Sequence, residues 1–154
     1  MAAIDRLRRL RDGERGAELI EFAVALPFLM LLVAGIVDFA VLFQRYEVVT
    51  NAAREGARMA ALPDYQTADI KARVGSYLAA SGLKNAAPAP LVTYANVAIS
   101  PGGPTISVVT VKVQYPHKFI FLSPVAPLVG GTALADVMLA AASTMRREVA
   151  AAAP

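Results

Sequence analysis

The fold is decided by one uninterrupted stretch, FAVALPFLMLLVAGIVDFAVLFQRYEVVTNAAREGARMAAL, which runs from Phe22 to Leu62. Its first part, Phe22 to Phe43, carries a single charged side chain, Asp38. As an α-helix this part would extend about 33 Å, enough to cross a bilayer core of roughly 30 Å. The alternative is a buried helix of a soluble protein, which is seldom this long. We therefore predict a transmembrane helix over residues 17–43.

Length and composition are those of one small domain with a membrane anchor. The chain has 154 residues, of which 56% are hydrophobic, and its mean hydropathy is +0.51. No second span is expected, because the apolar segment 119–130 is short and is interrupted by Pro124 and Pro127. The chain has no cysteine, so it has no disulfide framework and no thiol chemistry.

The basic residues are concentrated before the apolar stretch. Five arginines lie within the first fifteen residues, namely Arg6, Arg8, Arg9, Arg11 and Arg15. A basic segment before a first span predicts a cytoplasmic N-terminus and an exported C-terminal domain. The net charge is +3, but the basic residues form no patch interleaved with aromatic residues, so nucleic acid is not an expected partner.

The junction between leader and span differs from a secretory signal peptide. The apolar run is too long for such a signal, and no A-x-A cleavage site follows it cleanly. Gly16 instead precedes the run and is followed by four residues and then by Glu21 and Phe22. This order resembles the type IV prepilin signal, whose peptidase cuts after the glycine and leaves the glutamate at the fifth mature position. The resemblance implies cleavage between Gly16 and Ala17.

Cleavage there would explain a carboxylate at the membrane edge. It would create an α-amino group on Ala17, four residues before Glu21 and on the same helical face. That amine, or the amine of a neighbouring subunit, can neutralise Glu21. The alternative is that Glu18 and Glu21 are simply acids in the first turns of a helix, where the helix dipole favours them.

The helix is predicted to continue beyond the membrane through residues 44–62 and to end before Pro63. It would then run from about Ala17 to Leu62, with a bend near Ala23 caused by Pro27. Asp38, near the outer end of the span, is expected to pair with Arg45 or to reach the outer interface. Small residues at helical spacing should let another element approach closely, and these are Ala52, Ala53, Gly56 and Ala57.

The stretch from Arg15 to Leu62 resembles the TadE-like family, minor pseudopilins of the Tad (tight adherence, Flp) pilus. The matching motifs are RGA-x3-EFA, an early Leu-Pro, GIVDF and NAAREGAR. The family often has glutamate where this chain has Asp38. The motif positions carried over are Gly16, Glu21, Pro27, Asp38, Asn51, Arg54 and Arg58.

The resemblance implies a function in pilus assembly and a set of partners. The partners are a prepilin peptidase, other pilins and pseudopilins of the Tad system, inner-membrane assembly machinery and the lipid bilayer. The location implied is the bacterial inner membrane, with a single pass and a periplasmic C-terminal domain that can enter the pilus. The sizeable domain after the helix argues against the major pilin, which is much shorter.

The exported part, residues 63–148, is predicted to be a small α+β head, which gives the chain a pilin-like architecture. A helix is expected over residues 67–83, with Thr67 as N-cap and Gly82 as C-cap. Strands are expected over 91–100 and 105–115, joined by a hairpin at 101–104. Residues 132–148 are ambiguous; we favour a third antiparallel strand, although their alanine content favours a helix. Residues 149–154 are expected to be a flexible tail.

No motif indicates catalysis, a metal site or a cofactor. His117, the single histidine, has no partner suggested by spacing, and we expect a surface or structural role for it. The aspartates Asp64, Asp69 and Asp136 are too scattered to predict a calcium site. We therefore expect no enzyme activity. The competing hypothesis is an uncleaved, signal-anchored envelope protein whose exported domain binds a ligand or a partner.

Overall fold

The computed structural model describes residues 2–83, 88–125, 127 and 136–148, with backbone only for 2–15 and 136. Its elements are helix α1 (Ala2–Ala61), helix α2 (Thr67–Ala80), strand β1 (Leu91–Ala98), strand β2 (Thr105–Lys118), a short helix α3 (Leu122–Val125) and strand β3 (Asp136–Arg146). The predicted α+β architecture is confirmed: a long apolar N-terminal helix, a second helix and a three-stranded antiparallel sheet.

Helix α1 is longer than predicted. It begins at Ala2 and not near Ala17, so the expected start was wrong, whereas its end at Ala61 agrees with the expected Leu62. The leader has no proline and is rich in alanine, leucine and arginine, all good helix formers, so nothing in it stops the helix. Pro27 lies within the helix, and the bend expected there stays a prediction.

The sheet has the order β1-β2-β3, with both pairs antiparallel. The third strand is confirmed at Asp136–Arg146, because the alternating pattern prevails over alanine's helix propensity once β2 offers an edge to pair with. Pro116 lies in the central strand, but β1 already ends at the Leu91–Lys112 pair. Pro116 therefore occupies a part of β2 that pairs with β3 alone, where a missing N–H is tolerated.

One face of the sheet packs on the two helices and the other is open to solvent, as the alternation in β2 predicts. Val109, Val111 and Val113 are fully buried, whereas Lys112 between them is exposed. The buried face meets Ile70, Val74 and Leu78 of α2 and the small residues of α1. Ala52, Ala53, Gly56 and Ala57 are all buried, so the close approach expected of them is confirmed.

The connections differ in detail from the prediction. The N-cap of α2 is Gln66 and not Thr67, because Asp69 accepts a hydrogen bond from the Gln66 backbone N–H at 3.0 Å. The C-cap is Ser81; Gly82 follows it with a φ of +84°, which glycine adopts without strain. The β1–β2 hairpin is confirmed, with Ile99 N–H donating to the Pro104 carbonyl.

The sheet runs alongside the outer half of α1, with β2 antiparallel to the helix. At one end, the N–H of Glu148 donates to the carbonyl of Ala61 and that of Arg147 to Ser107, near the start of β2. At the other end, the residues after β2 reach Asp38. The head therefore contacts α1 from Ala61 back to Asp38, inside the stretch predicted to span the membrane.

Candidate functional site

The most concentrated set of polar contacts surrounds Asp38. Its carboxylate accepts three backbone hydrogen bonds, from the N–H of Ile120 at 2.9 Å, of Phe121 at 2.9 Å and of Leu122 at 2.7 Å. Asp38 is only 1% exposed. Bonds from N–H groups to a carboxylate are stronger than bonds between neutral groups. They attach the segment after β2 to the long helix.

Apolar and aromatic side chains surround this attachment. Phe119 is buried and lies edge-on to Phe39 of the helix, with ring centroids 5.9 Å apart. The ring of His117 also meets Phe119 edge-on, with centroids 5.1 Å apart. Aromatic pairs in this geometry add about 0.5–1.5 kcal/mol to the effect of burial alone.

His117 is held by Arg45. Nη1 of Arg45 lies 3.1 Å from Nδ1 of His117. Arginine can only donate, so Nδ1 must be the acceptor and the proton of the neutral ring must be on Nε2. His117 is 1% exposed, so of the two roles expected for it the structural one is confirmed and the surface one is wrong. Among the side chains that the structure describes, Asp38 and Arg45 do not pair with each other; each bonds to the segment 117–122.

A concave surface lies at the opposite end of the head from the Asp38 attachment. It is a cleft of about 710 Å³ whose polar lining includes Glu55, Arg58, Tyr65, Arg73 and Arg146. Glu55 of α1 bridges to α2 through Arg73, which contacts it at 2.9 Å, and it also pairs with Arg58 of its own helix at 3.6 Å. Surface pairs of this kind contribute about 0–1 kcal/mol. Over the described residues no group of three or more metal-ligating side chains was found.

Comparison with known proteins relates part of the long helix to a family. Residues 16–58 match the family described as TadE-like protein. This part of helix α1 is similar to that family. The match covers 43 of the 154 residues and includes every motif position predicted from the sequence. No curated protein and no solved structure matches the chain.

The TadE-like segment lies within the one helix that, by length and composition, is a candidate membrane span among the residues described. It is assigned to Gly16–Ala61, its most apolar window has a mean hydropathy of 2.5, and only 6% of that window is buried. Large side chains along it, such as Leu19, Phe28 and Ile36, are mostly exposed. A helix with this composition in water would expose a continuous apolar surface, which is typical of a membrane segment.

The motif residues of the TadE-like segment do not form one site. Gly16, Ala17, Glu21 and Pro27 lie along the exposed apolar half of the helix, and only Asp38 is buried. The remaining three, Asn51, Arg54 and Arg58, are exposed at spacings of three and four residues, so they share one stripe on the helix. That stripe faces away from the small residues that pack on the head.

The partners of Asp38 and Arg45 were not predicted from the sequence. Ile120 is 82 residues from Asp38, and His117 is 72 residues from Arg45. The only local signals were a lone carboxylate in an apolar run and a proline-flanked apolar segment after a strand. Neither signal predicts a contact with the other, because Asp38 and the segment after β2 meet only when β2 runs back along α1.

The site predicts a pH dependence through His117. Burial, followed by the positive charge of Arg45, holds the pKa of His117 below its ordinary value of 6.5, although Asp38 opposes this. The unfolded chain therefore takes up a proton below pH 6.5 that the folded protein resists. The stabilisation is fully present above that pH and is lost as the pH falls towards the folded-state pKa.

We expect the thermal unfolding midpoint in detergent to fall between pH 7.5 and pH 5, and to fall less in His117→Gln. Glutamine keeps an acceptor for Arg45 but does not titrate. The measurement is a thermal unfolding series across this pH range for both proteins. Parallel profiles for the two would show that His117 does not contribute.

Proposed function

We propose that this protein is a minor pseudopilin of the Tad pilus, a structural component and not an enzyme. The observation that carries the proposal is the TadE-like match, which begins at Gly16 and extends through the apolar helix. The match supports a Tad pilus-associated protein in general. The finer role includes processing after Gly16, insertion in the inner membrane with the N-terminus in the cytoplasm, and assembly with other pilins through the helix.

The state of Glu21 supports the processing step. The side chain is exposed on α1, and none of the residues described makes an ion pair or hydrogen bond with it. A carboxylate at the start of a membrane segment needs a neutralising partner. An α-amino group on Ala17, four residues earlier on the helix, would supply one within the chain or to a neighbouring subunit.

The first test is the intact mass of the protein from cells with and without the prepilin peptidase. We expect a peptidase-dependent loss of residues 1–16, and no loss in Gly16→Leu, because a bulky residue replaces the glycine at the cleavage site. Gly35→Leu is the matched control, since Gly35 also has open space around it in the same helix. Full-length protein in both strains would overturn the processing step.

The second test concerns assembly. Glu21→Ala is expected to insert in the membrane normally but to reduce the number of pili per cell, because the charge that pairs with an Ala17 amine is lost. Glu18→Ala is the control, as Glu18 is also exposed in the same turns. The measurement is the number of pili per cell by electron microscopy. Normal numbers in Glu21→Ala would contradict an inter-subunit role of Glu21.

The competing function is an uncleaved, signal-anchored protein whose exported domain binds a ligand or partner. The observation that favours it is the cleft of about 710 Å³ at the end of the head away from Asp38, with Arg58, Arg73 and Arg146 among its lining residues. It predicts that Gly16→Leu changes neither the mass nor the function. The mass measurement therefore separates the two proposals directly.

A further inference from the structure

The Asp38 attachment sets the position of the head along the long helix. Asp38 follows Phe22 by sixteen residues, which corresponds to about 24 Å along the helix axis. If the apolar span enters the hydrocarbon at Phe22, a core of about 30 Å ends near residue 42. The three bonds to Asp38 therefore hold residues 120–122 at a level just inside the outer edge of the span.

The segment held there, Phe119 to Leu122, is named here the apolar loop, and two of its side chains, Ile120 and Phe121, point outward. Ile120 is 54% exposed and Phe121 is 49% exposed. On the helix beside it, Phe39 is 47% exposed and Phe43 is 64% exposed. These side chains extend the exposed apolar surface of the span onto the head, whereas a head standing clear of the membrane would expose them all to water.

Three consecutive backbone N–H groups of the apolar loop are hydrogen-bonded within the protein and need no water. Unpaired N–H groups are expensive in hydrocarbon, and non-helical backbone at that depth is tolerated where it is buried against protein, as this backbone is against Asp38 of the helix. Asp38 accepts bonds from the three consecutive N–H groups of Ile120, Phe121 and Leu122. One carboxylate thus satisfies three amides, and those amides satisfy the carboxylate.

The residues of α1 that follow the apolar span have side chains suited to the membrane–water interface. Arg45 and Tyr46 lie two turns beyond Asp38, and Tyr46 is exposed. Tyrosine is enriched at membrane–water interfaces, and arginine places its charge there while its stem stays apolar. The chemical character of α1 therefore changes from apolar to interfacial directly above the apolar loop.

We propose that the apolar loop is a second membrane contact, which embeds Ile120 and Phe121 in the outer leaflet and seats the head on the bilayer. The partner is the lipid itself, at the depth of the upper acyl chains. The inference rests on the proposed membrane insertion of α1. It adds that the head is fixed against the membrane surface, with its hairpin end pointing away.

The test uses the absence of tryptophan from the chain. Phe121→Trp, in the full chain reconstituted in phosphatidylcholine vesicles, introduces a single tryptophan, which is excited at the red edge of tyrosine absorption because the chain also has five tyrosines. With lipids brominated on the upper acyl carbons, we expect about twofold lower emission than in unbrominated vesicles, because a tryptophan in the interface contacts them. Ile99→Trp is the matched control: Ile99 is also an exposed apolar residue, but it lies at the hairpin end, and no quenching is expected.

A third variant, Phe28→Trp, places the fluorophore in the middle of the span. If lipids brominated deep in the acyl chain quench Phe28→Trp and no lipid quenches Phe121→Trp, the inference is overturned while the membrane span stands. If Phe28→Trp escapes quenching, the membrane span itself fails.

The role of Asp38 is tested by adding Asp38→Asn to the Phe121→Trp protein and to the Phe28→Trp protein. The addition should lower the quenching of the Phe121→Trp protein, because the apolar loop is released from the helix, and should leave that of the Phe28→Trp protein unchanged. Undiminished quenching of the Phe121→Trp protein would remove Asp38 from the proposal.

Discussion

Replacement of Asp38 by asparagine is expected to lower the free energy of unfolding by about 2–4 kcal/mol. The carboxylate now accepts three N–H bonds through its two oxygens. Asparagine offers one oxygen and turns an NH2 group towards a backbone donor, so at least one buried N–H loses its acceptor. The remaining bonds also lose their charge, and charged bonds are about twice as strong as neutral ones.

The effect should be local as well as global. Hydrogen exchange at the amides of Ile120, Phe121 and Leu122 should accelerate in Asp38→Asn, while amides of the β1–β2 pairing keep their protection against local opening. Denaturant unfolding in detergent measures the free energy. Glu47→Gln is the control, because Glu47 is an exposed acid on the same helix and its change should stay within about 0.5 kcal/mol. Unaltered exchange at the three amides would show that the bonds to Asp38 are not what holds the loop.

Gly56→Ala is expected to destabilise the head, although alanine is the better helix former. A Cβ at Gly56 would lie 2.6 Å from Cγ2 of Val74 and 3.1 Å from Cγ1 of Val111. Both valines are fully buried and, being β-branched, have few alternative rotamers. Overpacking of a core costs about 1–3 kcal/mol, which exceeds the helix-propensity gain of up to about 1 kcal/mol.

Gly75→Ala provides the opposite result. Gly75 lies in α2, and a Cβ there meets nothing within 4 Å. Only the helix-propensity gain remains, so this variant should be stabilised by up to about 1 kcal/mol. Val74→Ala added to Gly56→Ala removes the nearest methyl group, and a double-mutant cycle should show favourable coupling between the two. Equal stabilisation by both glycine substitutions, measured by denaturant unfolding, would contradict the close packing of α1, α2 and β2 at Gly56.

Much of the long helix could be predicted because its signals are local, whereas the partners of Asp38 in the candidate site could not. The apolar run from Phe22 to Phe43 and the small residues at Ala52, Ala53 and Gly56 each act within one helix. Their meaning depends on helical periodicity and on membrane thickness, which do not change with the rest of the fold. The TadE-like match covers this same part of the chain.

The boundaries and end groups were less predictable. The start of α1 was expected at the proposed cleavage site, but backbone propensity carries the helix through the leader to Ala2. The cap of α2 moved from Thr67 to Gln66 because the position of Asp69 decides which N–H is satisfied. A shift of one residue at a cap comes from small free-energy terms that compete closely.

The sequence by itself determined the long apolar helix, its polar continuation and the alternating strands, since periodicity and burial are properties of neighbouring residues. The tertiary structure alone decided that Asp38 receives the amides of Ile120 to Leu122 and that Arg45 meets His117. These partners lie more than seventy residues apart, and β2 must return along α1 before they can meet. A buried carboxylate needs donors, but the topology chooses which donors reach it.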